Sequence, residues 1–208
     1  MDNFEDMTLD NQLKVDSIMG FYTRTYYEIE LMEMLKKKSK EKFFCMFADF
    51  NFLKYANDMY GYTKVDVALK KISRLVLEEV KKAVNDYCIV RFGGDEVCIF
   101  GNGIDLDMVA KLKEDIQKSI KECCRECLNL SLAIGYSHSD NNNEFEELVA
   151  EAKENMKTDK EYLKSEYAVN VQKAVEMIAP TIERMVAPKD YEEFIAILEQ
   201  KFMGEKNK

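Results

Sequence analysis

The chain has 208 residues, enough for one domain with its own core and an appendage. Its 30 basic and 39 acidic residues leave a formal charge of −9, which argues against a protein held on nucleic acid by its phosphates; a nucleotide met by local lysines and metal ions stays compatible. No apolar run approaches the ~20 residues of a membrane span and the polar N-terminus has no signal-peptide pattern, so a cytoplasmic location is expected.

In chain order, an amphipathic helix is predicted around 24–38, closed by the basic run Lys36-Lys37-Lys38 that suits a helix C-terminus. A strand follows at 42–49. Its segment Phe43-Phe44-Cys45-Met46-Phe47-Ala48 is apolar throughout, as in a central strand buried on both faces, and it ends at Asp49. Helices are predicted over 53–59 and 64–82, then a β-hairpin over 87–100. There Tyr87-Cys88-Ile89-Val90 and Val97-Cys98-Ile99-Phe100 flank Arg91-Phe92-Gly93-Gly94-Asp95-Glu96, and the Gly-Gly pair is expected to supply the positive φ of a tight turn. A helix at 105–126, a strand at 128–137 and a helix at 144–160 complete an α+β palm, an antiparallel-rich sheet with helices packed on it.

Beyond the palm, residues 166–208 read as a C-terminal helical extension. Val169, Ala174, Val175 and Ile178 recur at helical spacing until Pro180. A second helix starts near Asp190, with Glu193 completing a capping box and Tyr191, Phe194, Ile195, Leu198 and Phe202 forming an apolar stripe. That stripe packs on its own domain or pairs two chains; the sequence favours neither. The six cysteines are expected to be free thiols, with Cys45, Cys88 and Cys98 as small core residues. Cys123, Cys124 and Cys127 lack a fourth thiolate nearby and are not read as a metal cluster. His138, the only histidine, is expected in a polar surface loop beside Asn141-Asn142-Asn143, without a role.

The chemistry concentrates at the hairpin. Gly93 and Gly94 leave a backbone shelf on which a phosphate chain can lie, and Asp95 and Glu96 stand beside it. Alone, this reads equally well as a turn with solubilising acids. Asp49 adds weight, because an acid on a buried strand is costly to ionise unless a cation or strong donors meet it. If its strand lies beside the hairpin, Asp49, Asp95 and Glu96 converge. Such a set without histidine suits magnesium or manganese and phosphate chemistry rather than zinc hydrolysis.

At these residues the chain resembles the GGDEF family, the catalytic domains of diguanylate cyclases, over residues 16–164. The segment DSIMGFYTRTYY (Asp16 to Tyr27) is similar to D-x-L-T-G-L-x-N-R-R-x-F, and DFNFLKYANDMYGYTKVD (Asp49 to Asp66) to D-x-D-x-F-K-x-x-N-D-x-x-G-H-x-x-G-D. RFGGDEV resembles R-Y-G-G-D-E-F, and AKENMKTDK (Ala152 to Lys160) the late A-D-x-A-L-Y-x-A-K helix.

The resemblance implies a cyclase domain over 1–165 that condenses two GTP into cyclic di-GMP using two magnesium or manganese ions per site. It implies that Asp49, Asp95 and the backbone carbonyl of Phe50 bind metal. Glu96 is tied to the metals and to activation of the ribose 3′-hydroxyl, and which of Asp95 and Glu96 is the base stays open. Lys54 and Lys160 fall on phosphate-contacting lysines, Lys164 stands where arginine is usual, and Asn57 and Asp66 fall on the residues that read guanine. The chemistry agrees: a carboxylate accepts both N1–H and the 2-amino group of guanine, whereas adenine would leave it desolvated and unpaired. Outside the motif, Asn57-Asp58 would read as a turn and Asp66 as a helix N-terminal acid.

Several positions depart from the pattern. Val97 replaces the signature phenylalanine, an exchange expected to change packing rather than chemistry. Tyr62 replaces histidine, Thr23 asparagine and Lys153 aspartate, while Lys164 keeps the charge but not the planar fork of arginine. Val84 and Tyr87 occupy the product-inhibition positions, so that site is expected to be absent. Each GTP must attack the other, so a homodimer is expected, with the C-terminal helices contributing to pairing because only about 15 residues precede the first motif. The rival readings are a catalytically idle domain that binds GTP or a protein partner, and a cyclase with another product.

Overall fold

The computed structural model describes residues 14–38, 42–123, 127–139, 144–185 and 192. Five strands, β1 (Tyr22–Thr23), β2 (Phe43–Asn51), β3 (Asp86–Arg91), β4 (Glu96–Asn102) and β5 (Ser131–His138), form one sheet in the order β1-β3-β4-β2-β5. Only the β1–β3 pair is parallel. The helices are α1 over 24–38 (Arg24–Tyr26, a π-helical Tyr27–Leu31, then Met32–Lys38), α2 (Leu53–Tyr60), α3 (Tyr62–Ala83), α4 (Leu106–Glu122) and α5 (Phe145–Met185). This is the α+β architecture read from the sequence, an antiparallel-rich sheet flanked by helices.

Every residue of β2 is buried, as its unbroken apolar run requires of a strand covered on both faces. One face carries Phe44, Met46, Ala48 and Ile99 into a core with Val65, Leu69, Ile72 and Val76 of α3 and Val109, Leu112 and Ile116 of α4. Both helices place those residues at helical spacing. The other face is aromatic: Tyr27 of α1 stacks on Phe100 at 5.6 Å, and Phe145 of α5 lies 5.7 Å from Phe100 and 5.9 Å from Phe43. Burial of each such ring stabilises the fold by about 1.5–3 kcal/mol. Gly135 sets the depth of α5 on this face. A Cβ there would come within 1.9 Å of the Met156 nitrogen and 2.3 Å of the Ala152 carbonyl oxygen, so any larger residue pushes the helix off β5.

Several expectations need correction. Strand β2 runs on to Asn51 rather than ending at Asp49. Neither Gly93 nor Gly94 has a positive φ, because the connection between β3 and β4 spans Phe92 to Asp95, longer than the two-residue turn that demands it. His138 is the last residue of β5, paired with Phe44, and its Nε2 meets the Ile104 carbonyl at 2.9 Å; it is not in a surface loop. Helix α4 ends at Glu122, where the Cys123 N–H turns back to the carbonyls of Ser119 and Ile120; residues 124–126 of the expected helix lie outside the described residues. Leu128 and Asn129 then adopt left-handed backbone, which delays β5 to Ser131. The short strand β1, too brief to show alternation, was not expected.

The late helix does not stop at 160. The chain divides into compact units Met1–Lys160 and Glu161–Lys208, and α5 spans Phe145–Met185. No glycine interrupts it, and it continues through Pro180, which costs about 3 kcal/mol but does not end it as expected. In the second unit Tyr162, Tyr167 and Val169 are exposed. The predicted apolar stripe from Tyr191 to Phe202 and Cys124 lie outside the described residues. Cys45, Cys88, Cys98 and Cys127 are buried free thiols, and burial pushes Cys98 well above the usual thiol range.

Candidate active site

Antiparallel register places Asp49 of β2 directly opposite Glu96 of β4. Cross-strand partners share a face, so both carboxylates project to the side covered by α1 and α5. Asp49 is only 7% exposed. Burial, the largest influence, pushes its carboxyl above the ordinary value; the Lys160 ammonium opposes that shift, and Asp95 and Glu96 add to it. Lys160 on α5 donates to Asp49 Oδ1 at 2.6 Å. Two turns earlier on the same helical face, Lys153 brings its Nζ to 3.5 Å from Glu96 Oε1 and lies 4.9 Å from the Phe47 ring centroid. The late helix therefore delivers a lysine to each acid.

The turn between β3 and β4 is built around Arg91. Its Nε donates to the Gly93 carbonyl at 3.1 Å and its Nη2 to the Gly94 carbonyl at 2.7 Å. Its Nη1 reaches both carboxylate oxygens of Asp16 at 3.0 Å. Asp16 in turn accepts the N–H groups of Ile18 and Met19 at 3.1 and 2.7 Å. The planar guanidinium thus fixes the shape of the Gly-Gly segment and ties it to the loop before β1. On the far side, the Phe50 N–H donates to the Asp95 carbonyl at 3.0 Å. In an extended strand the N–H and C=O of one residue point the same way, so the Phe50 carbonyl also faces the hairpin. A Cβ on Gly94 would meet nothing within 4 Å, which leaves a bare backbone shelf beside the acids.

The base-recognition candidates sit elsewhere. Asn57 is in the last turn of α2 and Asp66 in the second turn of α3. Gly61 joins these helices at φ 79°, ψ 152°, a left-handed-side conformation that favours glycine, and its N–H donates to the Asn57 carbonyl at 2.9 Å. Both side chains are half-buried, and neither makes a side-chain hydrogen bond or ion pair among the described residues. Lys54 is exposed on α2. Lys164 follows on α5 within the second unit. Val97 is part of the core under α3 and α4, and Val84 is buried with it.

Among the described residues, no three histidine, cysteine, aspartate or glutamate side chains form a ready-made metal cage. The donors nevertheless fit a hard divalent ion: they are all oxygen, and the buried Asp49 already draws a cation to itself. Sequence reading gave no role to Arg91 and Asp16, although both stand in the motifs. It also missed Asp159, which accepts from Lys113 at 2.6 Å, Gln117 at 2.9 Å and the Ile134 N–H at 2.8 Å, locking α5 to α4 and β5. A charged residue in a helical run otherwise reads as solvated, so no signal marked it.

The sequence profile described as "Diguanylate cyclase, GGDEF domain" matches residues 13–165. Proteins of Staphylococcus aureus described as uncharacterized membrane proteins are 27% identical over 136 residues; the match covers 62% of this chain and 37% of their length. Among solved structures, the diguanylate cyclase SiaD of Pseudomonas aeruginosa, in complex with its activator SiaC, aligns with a TM-score of 0.61 at 19% identity, covering 76% of this chain and 63% of that one. The coiled coil and GGDEF domain of DgcB from Caulobacter crescentus, in complex with c-di-GMP, gives 0.61 at 14% identity, covering 71% and 81%. At such identities these two likenesses establish the fold alone. No described helix is long and apolar enough to cross a membrane.

Proposed function

The chain belongs to the GGDEF family, and from that premise we propose that it is a diguanylate cyclase, condensing two GTP into cyclic di-GMP with release of two pyrophosphates. The observation that carries this reading is the cross-strand pair Asp49 and Glu96 beside a Gly-Gly-Asp turn whose carbonyls are gripped by Arg91. Twice in the reaction, a ribose 3′-oxygen attacks the α-phosphorus of the other GTP and the bond to the pyrophosphate leaving group breaks. Two magnesium or manganese ions, when bound, polarise the α-phosphate and lower the pKa of the 3′-hydroxyl.

In this reading Asp49, Asp95, Glu96 and the Phe50 carbonyl hold the ions. Gly93 and Gly94 put no side chain between the backbone and the triphosphate, and the space at Gly94 is open. Lys54 and Lys160 would neutralise phosphate oxygens, Lys160 from its place beside Asp49. Asp66 accepts the two guanine donors and Asn57 completes the edge. Asp95 or Glu96 takes the 3′-hydroxyl proton. Each protomer binds one GTP, so two must face each other, with residues 166–208 helping to pair them. The reaction belongs in the cytoplasm, where GTP and magnesium are available.

A second reading, a domain that binds nucleotide without turning it over, is favoured by the lysines that sit on Asp49 and Glu96. Incubation with GTP and magnesium, and with ATP in parallel, separates the two by chromatography and mass spectrometry. Cyclic di-GMP from GTP, lost in the Asp95→Ala/Glu96→Ala variant, supports the cyclase. Bound GTP with no pyrophosphate released supports the second reading.

A further inference from the structure

Lys153 stands on α5 where the motif that this helix resembles has aspartate. Its place is determined by packing. Ala152 and Met156, its neighbours along the helix, are buried, and Gly135 lets them approach β5 closely. The ammonium lies 4.9 Å from the centroid of the Phe47 ring, on the same strand face as Asp49, and 3.5 Å from Glu96 Oε1. Arg24, another cation whose field reaches Glu96, is engaged by Glu28 at 2.7 Å. Lys160 is held by Asp49. Lys153 is therefore the cation whose ion pair in this cluster is with Glu96.

We propose that Lys153 tunes cation loading by competing with a divalent ion for Glu96. This rests on the reading of Asp49 and Glu96 as metal-binding acids. Where the pattern has an anion that would add to the field drawing a divalent ion in, this chain has a tethered positive charge that repels it. To load the Glu96 side, an incoming ion must displace the ammonium, so the affinity for that ion is lowered. Lys153 is 46% exposed, and solvent screening reduces the effect from the dry-interior limit. An ordinary surface ion pair would instead leave ion binding unchanged.

The test is Mn²⁺ titration of the full chain without nucleotide, by calorimetry and by the electron paramagnetic resonance signal of free Mn²⁺. Lys153→Met keeps the stem over Phe47 and removes the charge, Lys153→Gln repeats the removal with a polar end, and Lys153→Arg keeps the charge. The proposal expects Mn²⁺ binding tightened about tenfold in Lys153→Met and Lys153→Gln, and unchanged in Lys153→Arg. Thermal melts verify that each variant is folded. Equal affinity in the parent, Lys153→Met and Lys153→Gln overturns the role of Lys153 while leaving the metal-binding reading intact. No Mn²⁺ binding at millimolar concentration by any of them overturns both.

Discussion

Along β2 and β4 the acids are pinned: strand register sets Asp49 against Glu96, and Lys160 and Lys153 meet them from α5. Arg91 and Asp16 brace the adjoining turn. Around Gly61, by contrast, Asn57 and Asp66 carry no side-chain partners among the described residues, and Tyr62, Met59 and Val67 are exposed close by. On the proposed reading the difference separates two tasks. The groups assigned to hold charge in a fixed geometry are anchored by the sheet. Those assigned to recognise a base keep their hydrogen-bonding capacity unspent for the ligand, because a buried polar group already paired gains little from a substrate.

The comparison can be broken at either end. Replacing Asp49 by alanine removes the most deeply anchored acid, and turnover of GTP is expected to fall by about three orders of magnitude, measured as pyrophosphate release. Arg91→Ala removes the brace without touching the acids. A misplaced turn is expected to lower turnover about a hundredfold and stability by about 2–3 kcal/mol, read by kinetics and chemical denaturation; Arg91→Lys restores charge but not the fork, and should recover little. At the other end, Asp66→Ala should leave the fold unchanged and raise KM for GTP by about tenfold to thirtyfold, while narrowing the preference over ATP. An Asp66→Ala enzyme with an unchanged KM would mean that the guanine is read elsewhere.

A smaller effect concerns Asp49 itself. Its carboxyl lies above the ordinary value because of burial, so the unfolded chain ionises first as pH rises. Stability from the neutral acid is then complete below the ordinary carboxylate range and is lost as pH climbs through the raised value. Asp49→Asn does not titrate and still accepts from Lys160. Its melting temperature should match the parent in acid and exceed it slightly at neutral pH; a variant that melts lower throughout would show that the ion pair outweighs the burial.

Much of this site was legible in the sequence for particular reasons. The run from Phe43 to Ala48 could only be a strand covered on both faces, and that made Asp49 conspicuous. The hairpin was readable from its two apolar arms. What escaped depends on contacts between distant segments. Gly135 matters because the backbone of α5 lies 1.9 Å from where its Cβ would be, and Asp159 because three donors from α4 and β5 converge on it. Gly93 and Gly94 were expected for backbone freedom, yet their φ angles do not require it; at Gly94 the openness of the shelf is what the structure offers. Pro180 reads as a stop in the sequence, but a helix already long before it runs through.

The central claim, that two GTP-loaded copies of this chain condense their nucleotides with each other, is tested most directly by the rate of cyclic di-GMP formation against protein concentration at saturating GTP and magnesium. The account expects a specific rate that rises with concentration and then levels as dimers fill. A guanosine product formed at a specific rate independent of dilution, by a chain that light scattering shows to be monomeric, would contradict it.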